Sequence, residues 1–396
     1  MSWPSIEFPK AIRKAKVGRE NQILSADIQP SGRFPVVDQG QAFIAGYSDA
    51  EKRVIRDDLP MVIFGDHTRC VKYVDFPFIL GADGTKVLKP KEDLFDPKFF
   101  YYALLSLDIP NRGYNRHFTV LKEKTVPLPE KDEQQKIAAV LGVVQRAIEQ
   151  QERLLQFTTD LKKALLHQLF TQGLRGEPQK QTEIGPVPES WEVVPLANLI
   201  RSKLQNGAFV QKPEAGKGFL FANVVDMYRE THLDLTRLER LDVPADSIAQ
   251  YWLEDGDILV VRSSLKRDGI GQNCIARNLS ESVFYDCHLI RVQTDHGKLL
   301  PEFLSAFWRS DIGKNDLILR SKTTTMTTIN QQGISKALVP VTSIEEQSEI
   351  ADLLEIVDTK IRGHREHKRH LEDLFRTLLH ELMAAKTRVH ELEIAA

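Results

Sequence analysis

Three histidines on one stretch, His364, His367 and His370, are the first residues whose type and spacing could do chemistry, by holding a metal ion. Two successive steps of three place them along a helix flank, but Arg362, Arg365, Lys368 and Arg369 crowd the same stretch. Four cations beside a metal-binding triplet oppose the ion, so the run reads as a charged helix face. Nucleotide chemistry fares no better. Gly216-Lys217, Gly297-Lys298 and Gly313-Lys314 are followed by Gly, Leu and Asn, where a phosphate-cradling loop needs Ser or Thr. No Asn-Pro-Pro-Tyr or Asp-Pro-Pro-Tyr occurs, which removes the usual adenine-methylating pocket, and Gly269-Ile270-Gly271 reads as a turn. Cys70, Cys274 and Cys287 are odd in number and lack close spacing, as expected of reduced thiols. Neither a catalytic residue nor a metal or cofactor site is expected on this chain.

The elements that would position any binding residues come next. At 396 residues the chain exceeds one ordinary core, and two or three domains are expected. No apolar run reaches the length that spans a bilayer, and the start, Met1 to Glu7, lacks a signal-peptide stretch, so a cytoplasmic location is expected. The net charge of −2 argues against an all-over nucleic-acid binder. It hides a gradient: residues 1–128 carry 19 Lys+Arg against 16 Asp+Glu, whereas residues 342–396 carry 8 against 12. Contact with a polyanion must be made by local patches.

One internal repeat organises the chain. At an offset of 213 residues Val126-Pro127 matches Val339-Pro340, Glu133-Gln134 matches Glu346-Gln347, and Ile137-Ala138 matches Ile350-Ala351. The register runs without a gap to Leu165-Leu166-His167 against Leu378-Leu379-His380, while the segments preceding each copy show no comparable likeness. Each copy has acidic residues in its first turn, Glu133 in one and Glu345 with Glu346 in the other, which suits the positive end of a helix dipole. Apolar residues then alternate at steps of four and three: Ile137, Leu141, Val144, Ile148, Leu155 and Leu165 in the first copy, and Ile350, Leu354, Val357, Ile361, Leu371, Leu378 and Leu382 in the second. The second run is expected to continue through Ala385 and Val389 to Leu392, about 63 Å of helix at 1.5 Å per residue. Such a seam must be covered, most simply by its sister copy in an antiparallel pair; pairing with another molecule is the alternative.

The expected plan is a first globular domain over 1–128, a long helix over 129–172, a Gly- and Pro-punctuated linker over 173–188, a second domain over 189–341 and a second long helix over 342–396. Short strands (Met61 to Phe64, Ile258 to Val261) mix with helices (Pro97 to Leu105, Pro301 to Trp308), so the fold class is α+β, two globules with two antiparallel coiled-coil helices in a pseudo-twofold arrangement.

This alternation of domain, helix, domain and helix resembles the specificity subunits of Type I restriction–modification systems. So do the helix entries over Pro127 to Ala138 and Val339 to Ala351, and the domain opening Gly185-Pro186-Val187-Pro188-Glu189-Ser190-Trp191-Glu192. Phe34 to Gln41, Phe64 to Arg69 and Gly113 to Phe118 are similar to motifs of the family's target recognition domains, although the first domain lacks the usual opening. The resemblance implies a non-catalytic subunit in which each recognition domain reads one half of a bipartite double-stranded DNA target. The helices would set the spacer and dock two adenine-N6 methyltransferase subunits that bind S-adenosylmethionine; restriction subunits using ATP and Mg would join through them. Two half-sites should then lie about one duplex turn apart, on the order of 34–36 Å. A scaffolding protein with peptide-binding globules is the rival reading, and a decoy with one inactive recognition domain is a third.

Phosphate contact calls for Lys, Arg and small hydroxyls, and base contact for Arg, Lys, Asn or Gln. In the first domain the candidates are Gln39 and Gln41 around Gly40; His67, Thr68, Arg69 and Lys72; and the loop Arg112, Tyr114, Asn115, Arg116 and His117. In the second they are Arg262, Ser263, Ser264, Lys266 and Arg267 after an apolar strand; Lys322, Thr323, Thr324 and Thr325; and more weakly Lys203 and Asn206 with Gln205, Gln211 and Lys212.

Overall fold

The computed structural model describes residues 3–82, 84–111, 113, 115–210 and 214–389. The chain folds into two compact units, Met1–Glu152 with Glu366–Ala396, and Arg153–Arg365. A central helix, Lys131–Gln172, and a C-terminal helix, Ile344–Met383, each contribute to both units.

In the first unit an antiparallel sheet has the strand order Ile12–Arg13, Thr85–Pro90, Met61–Gly65, Val71–Val74. A second sheet orders Gln22–Ile23, Ile79–Gly81, Phe34–Val37 and Gly46–Ser48, with Phe34–Val37 parallel to Ile79–Gly81. The second unit repeats the order of the antiparallel sheet and part of the mixed sheet, which has three strands there instead of four, despite its unrelated sequence. Gln205–Asn206, Leu289–Val292, Ile258–Val261 and Asn273–Ile275 form the antiparallel sheet. Glu214–Ala222 pairs parallel with Val283–Tyr285 and antiparallel with Glu239–Asp242. A two-stranded ribbon leads into each long helix, Ser5–Glu7 with Thr125–Pro127 and Glu192–Pro195 with Leu338–Val341. The linker is ordered too: Gln179–Thr182 and Gly185–Pro188 make a hairpin.

Each long helix starts on a buried glutamine, and the two occupy equivalent places in the repeat. Gln134 accepts from the Asp96 amide (2.7 Å) and donates to the carbonyls of Leu94 and Pro129 (2.9 Å each). Gln347 accepts from the Leu300 amide (2.9 Å) and donates to the carbonyls of Lys298 (3.0 Å) and Thr342 (2.9 Å). Both side chains are fully buried. In each case the amide clamps the start of a short domain helix, Pro97–Leu105 or Pro301–Arg309, to the start of the long one. Proline at the first turn of each short helix removes an amide that would otherwise lack a partner.

Aromatic residues fill the space beneath. Phe8, Phe95, Phe99, Phe100 and Tyr102 pack with Ile137 and Leu141 in the first unit, and Trp191, Phe303, Phe307 and Trp308 with Phe170, Ile350 and Leu354 in the second. Phe170 meets Phe303 and Phe307 edge-on with centroids 5.2 and 5.3 Å apart, a favourable aromatic geometry.

The long helices pair antiparallel within each unit. Tyr102 bridges towards Phe375 (5.9 Å between centroids), and Lys368 meets Glu152 at 2.9 Å, while Glu133 lies beside the Val389 amide. In the second unit Lys162 is ion-paired with Asp358. Burial along the seam is uneven. Ile137, Leu141, Val144, Ile350, Leu354, Val357, Ile361 and Leu382 are buried, whereas Ile148, Leu155, Leu165, Leu371 and Leu378 are only half-buried. The domain cores, more than the seam alone, cover these helices.

The C-terminal helix is shorter than its heptad pattern suggests. It stops at Met383, Ala385 takes a left-handed conformation (φ 54°), and the Lys386 amide closes back on the Glu381 carbonyl. Ala385 and Val389 thereby bury themselves, Val389 in the first unit's core, which a continuing helix would not allow. Leu392 lies outside the described residues.

Removing either glutamine amide strands three polar groups in the interior, each costing about 1–3 kcal/mol. Gln134→Ala and Gln347→Ala should each lower stability by about 2–4 kcal/mol in thermal or urea melts, with exposed Gln135→Ala as the control. Melts indistinguishable from that control would remove the clamp from the account.

Candidate nucleic-acid interface

In both units the same three loops converge at one end of the antiparallel sheet. In the first unit they are residues 38–45 and 66–70, with 109–111, 113 and 115–117 as the described part of the third. The Gln39 side chain accepts from the His67 amide (3.1 Å), and the Thr68 hydroxyl donates to the Gln39 carbonyl. Arg69, at a left-handed φ of 62°, donates to the Ile109 carbonyl at 2.9 Å. The turn is tight because Gly65 lets Thr68 in: a Cβ there would lie 2.1 Å from the Thr68 hydroxyl. Three loops far apart in sequence are thus one surface, on which Gln41, Asn115 and Arg116 are exposed and Gln39, His67, Thr68 and Arg69 are partly so. Gln41, Thr68 and Arg69, together with Phe43, border an open cleft of about 490 Å³.

Two residues expected on that surface turn inward instead. Lys72 is 5 % exposed and donates to the carbonyls of Asp38 (2.9 Å) and Ala42 (2.5 Å), pinning the first loop from below. Burial pushes its pKa down from the ordinary lysine value, with Asp38 opposing the shift. His117 is fully buried, and its Nδ1 lies 2.9 Å from the Asp66 carbonyl oxygen. Asp66 accepts from the Phe118 amide (2.8 Å) and so caps the helix Phe118–Lys122. The strand Val71–Val74 alternates its faces, which puts Lys72 on the inner side. Arg112 and Tyr114 lie outside the described residues.

In the second unit the corresponding loops are 223–238, 262–272 and 320–330. Ser263–Ser264 pairs with Thr327–Thr328, which pairs in turn with Lys322–Thr323, so two candidate segments form one three-stranded sheet. Its outward side is rich in hydroxyls, and Thr323 meets Thr327 at 3.1 Å. Lys266, Arg267, Lys322, Thr323, Thr324 and Thr325 are exposed. Arg262 is held through its backbone, its amide donating to His288 (3.0 Å) and its carbonyl accepting from Ile329 (2.8 Å). Its Nε is buried without a hydrogen-bond partner among the described residues, so only the outer part of the guanidinium is open to a ligand. Asn206 accepts from Gln331 at 3.2 Å, which partly satisfies it. Lys203 is exposed; Gln211 and Lys212 lie outside the described residues.

The side chains that sequence reading missed are mostly apolar or neutral, the exception being the exposed carboxylate of Asp268 on the rim of the second unit's cleft. Tyr228, Leu265, Gln272 and Met326 line a cleft of about 600 Å³ with Ser263, Ser264 and Lys266. Tyr228 enters from a loop whose composition gives no hint of it; only the approach of its hydroxyl to the Gly269 carbonyl (3.4 Å) does so. Beside this cleft Asp286, Cys287 and His288 are the group of possible metal ligands among the described residues. Burial and the Asp286 carboxylate push the Cys287 thiol pKa up, which disfavours the thiolate a metal needs. Such clefts, bordered by cations, hydroxyls and amides, can take a polyanion with polar edges.

Comparison with known proteins points the same way. Residues 21–156 match the family described as the Type I restriction modification DNA specificity domain. The chain is 25% identical over 329 residues to the Type I restriction enzyme MjaVIII specificity subunit of Methanocaldococcus jannaschii, covering 77% of this chain and 73% of that one. It is also 25% identical over 325 residues to the EcoBI specificity subunit of Escherichia coli, covering 76% and 67%. In fold it is similar to the crystal structure of the Type I restriction–modification S subunit from M. genitalium, with a TM-score of 0.62, 16% identity and 96% of each chain covered. A structure describing complex assembly and conformational transition of the Type I system gives a TM-score of 0.53 at 15% identity, with 98% of each chain covered.

Lys72→Met keeps the stem but strands two carbonyls of the 38–45 loop. It should cost about 2–3 kcal/mol and speed amide hydrogen exchange through that loop. Unchanged exchange there would mean that the lysine is not what holds the loop.

Proposed function

We propose that this chain is a specificity subunit of a Type I restriction–modification system and reads DNA sequence for an adenine-N6 methyltransferase partner. One observation carries the reading: two units that share the order of their antiparallel sheet each gather three loops into a polar face, while differing in nearly every residue on it. Equal scaffolds with unequal faces are what two different half-sites of one asymmetric target require. The first unit offers Gln39, Gln41, His67, Thr68, Arg69, Asn115 and Arg116; the second offers Arg262, Ser263, Ser264, Lys266, Arg267 and Lys322 to Thr325. Amide and guanidinium groups supply the geometry for base edges, and hydroxyls and lysines that for phosphates.

As a specificity subunit the chain is not itself the enzyme. S-adenosylmethionine belongs to the modification subunits in this reading, and ATP with Mg to the restriction subunits, all acting in the cytoplasm. The long helices set the spacer and dock two modification subunits. The repeat supports a partner present twice, because it places exposed apolar residues at matching positions on both helices. Val143 and Ile356 are 58% and 57% exposed, and Leu161 and Leu374 52% and 46%. On the central helix Phe157 (69% exposed) extends the stripe. Large apolar side chains left in water along one helix flank mark a surface that another chain covers.

Methylated adenines mapped across the genome, with this chain and its modification subunit present together or singly, test the reading. One bipartite, asymmetric motif that needs both proteins is expected. Absence of any motif, with the complex formed, would turn the assignment towards the scaffold. Arg262→Ala and Lys266→Ala should weaken binding to the motif, by about 1–3 kcal/mol where a base contact is lost, and leave assembly intact. Phe157→Glu should do the reverse, lowering co-purification of the modification subunit while the melting temperature of the chain stays unchanged.

A further inference from the structure

We propose that Leu265 is an apolar wedge with which the second unit opens a base step of the DNA it reads. In this reading Tyr228 lies beside it as the surface that receives the exposed base. The inference rests on the DNA-reading role above and goes further, to how the DNA is deformed. Leu265 is 80% exposed, more so than any other large apolar side chain among the described residues. It is not a loose loop tip. The preceding Ser263–Ser264 is paired in a sheet, the Lys266 amide donates to the Ser264 hydroxyl (3.2 Å), and the Gly269 amide donates to the Lys266 carbonyl (3.0 Å). The turn closes so tightly that a Cβ on Gly269 would lie 2.1 Å from the Ser264 hydroxyl and 2.5 Å from that of Tyr228. A bare leucine is therefore presented to water by a braced turn.

Its neighbours say what it faces. Lys266 and Arg267 follow it directly and are exposed, ahead of the exposed Asp268, and the sheet-paired Ser263 and Ser264 precede it. Cations and hydroxyls on this spacing draw phosphates to both sides of the leucine and push it towards the bases between them. Apolar side chains so placed part adjacent bases, at a cost of a few kcal/mol, and kink the duplex. Tyr228 is half-exposed and shares the cleft with Leu265, Met326, Gln272 and His288. An aromatic wall with amide and imidazole edges suits an unstacked base, which needs a face to lie on and polar groups for its rim. A leucine making only a groove contact would need neither the braced turn nor the cleft.

The test uses the complete complex with its modification subunits and DNA bearing the methylated motif. Dyes on the DNA ends report bending, and 2-aminopurine, placed at successive positions of the second half-site away from the methylated adenine, reports unstacking. Wild type should bend the DNA and raise 2-aminopurine fluorescence several-fold at one step. Leu265→Ala should abolish both signals and weaken binding about tenfold, the scale of one lost wedge. Leu265→Met should retain them, and Lys266→Ala should weaken binding while keeping the bend. Because Leu265 is exposed, melting of the alanine variant should match wild type. Unchanged fluorescence and affinity in Leu265→Ala would overturn the wedge. So would wild-type binding without any unstacked step, or weaker binding with the bend intact. Wild type failing to bind the motif at all would instead remove the DNA-reading role itself.

Discussion

Everything in this chain hangs on two buried glutamines. Where each long helix enters its domain, one amide and two carbonyls from other segments meet in the interior, and burial makes leaving them unpaired expensive. Gln134 and Gln347 solve this in the same way, joining a long helix, the strand before it and a short domain helix with three hydrogen bonds each. The join fixes each domain's candidate face to its long helix. A domain free to rock on its helix would lose the register of its loops.

The second constraint is that reading loops need bracing without being filled. In the first unit Lys72 and Asp66 do this from beneath, one holding the 38–45 loop and the other capping the helix Phe118–Lys122. The second unit reaches the same end through the pairing of Ser263–Ser264 with Thr327–Thr328 and the backbone contacts of Arg262. Charged residues near the candidate faces are thus of two kinds. Lys72 is buried and satisfied by carbonyls, while Lys266 stands in water, and only the second kind can shed counterions on binding.

The equality of the two scaffolds bears on specificity. The order of the antiparallel sheet is shared while the loop residues are not, so the fold energy and the chemistry of the candidate faces are separable. Core aromatics such as Phe99, Phe100, Phe303 and Phe307 keep the sheets and helices in place whatever the loops carry. Loop substitutions can then change what is read at little cost to stability, as expected where function sits on loops over a rigid frame.

The sequence by itself determined the repeat, the two long helices, their seam and the absence of the common catalytic motifs, because each is written in local spacing: steps of four and three, acidic first turns and short signatures. The buried strand Ile258–Val261 and the helix starting at Pro97 were legible for the same reason. Only the tertiary structure decided that the two dissimilar domains share the order of their antiparallel sheet, because strand pairing is a long-range property that similar residues do not have to mark. It also turned Lys72 and His117 inward, ended the C-terminal helix at Met383 so that Val389 could be buried, and set Tyr228 and Leu265 beside the basic loop. In each of these cases a local pattern admitted two outcomes, and burial against residues distant in the chain chose between them.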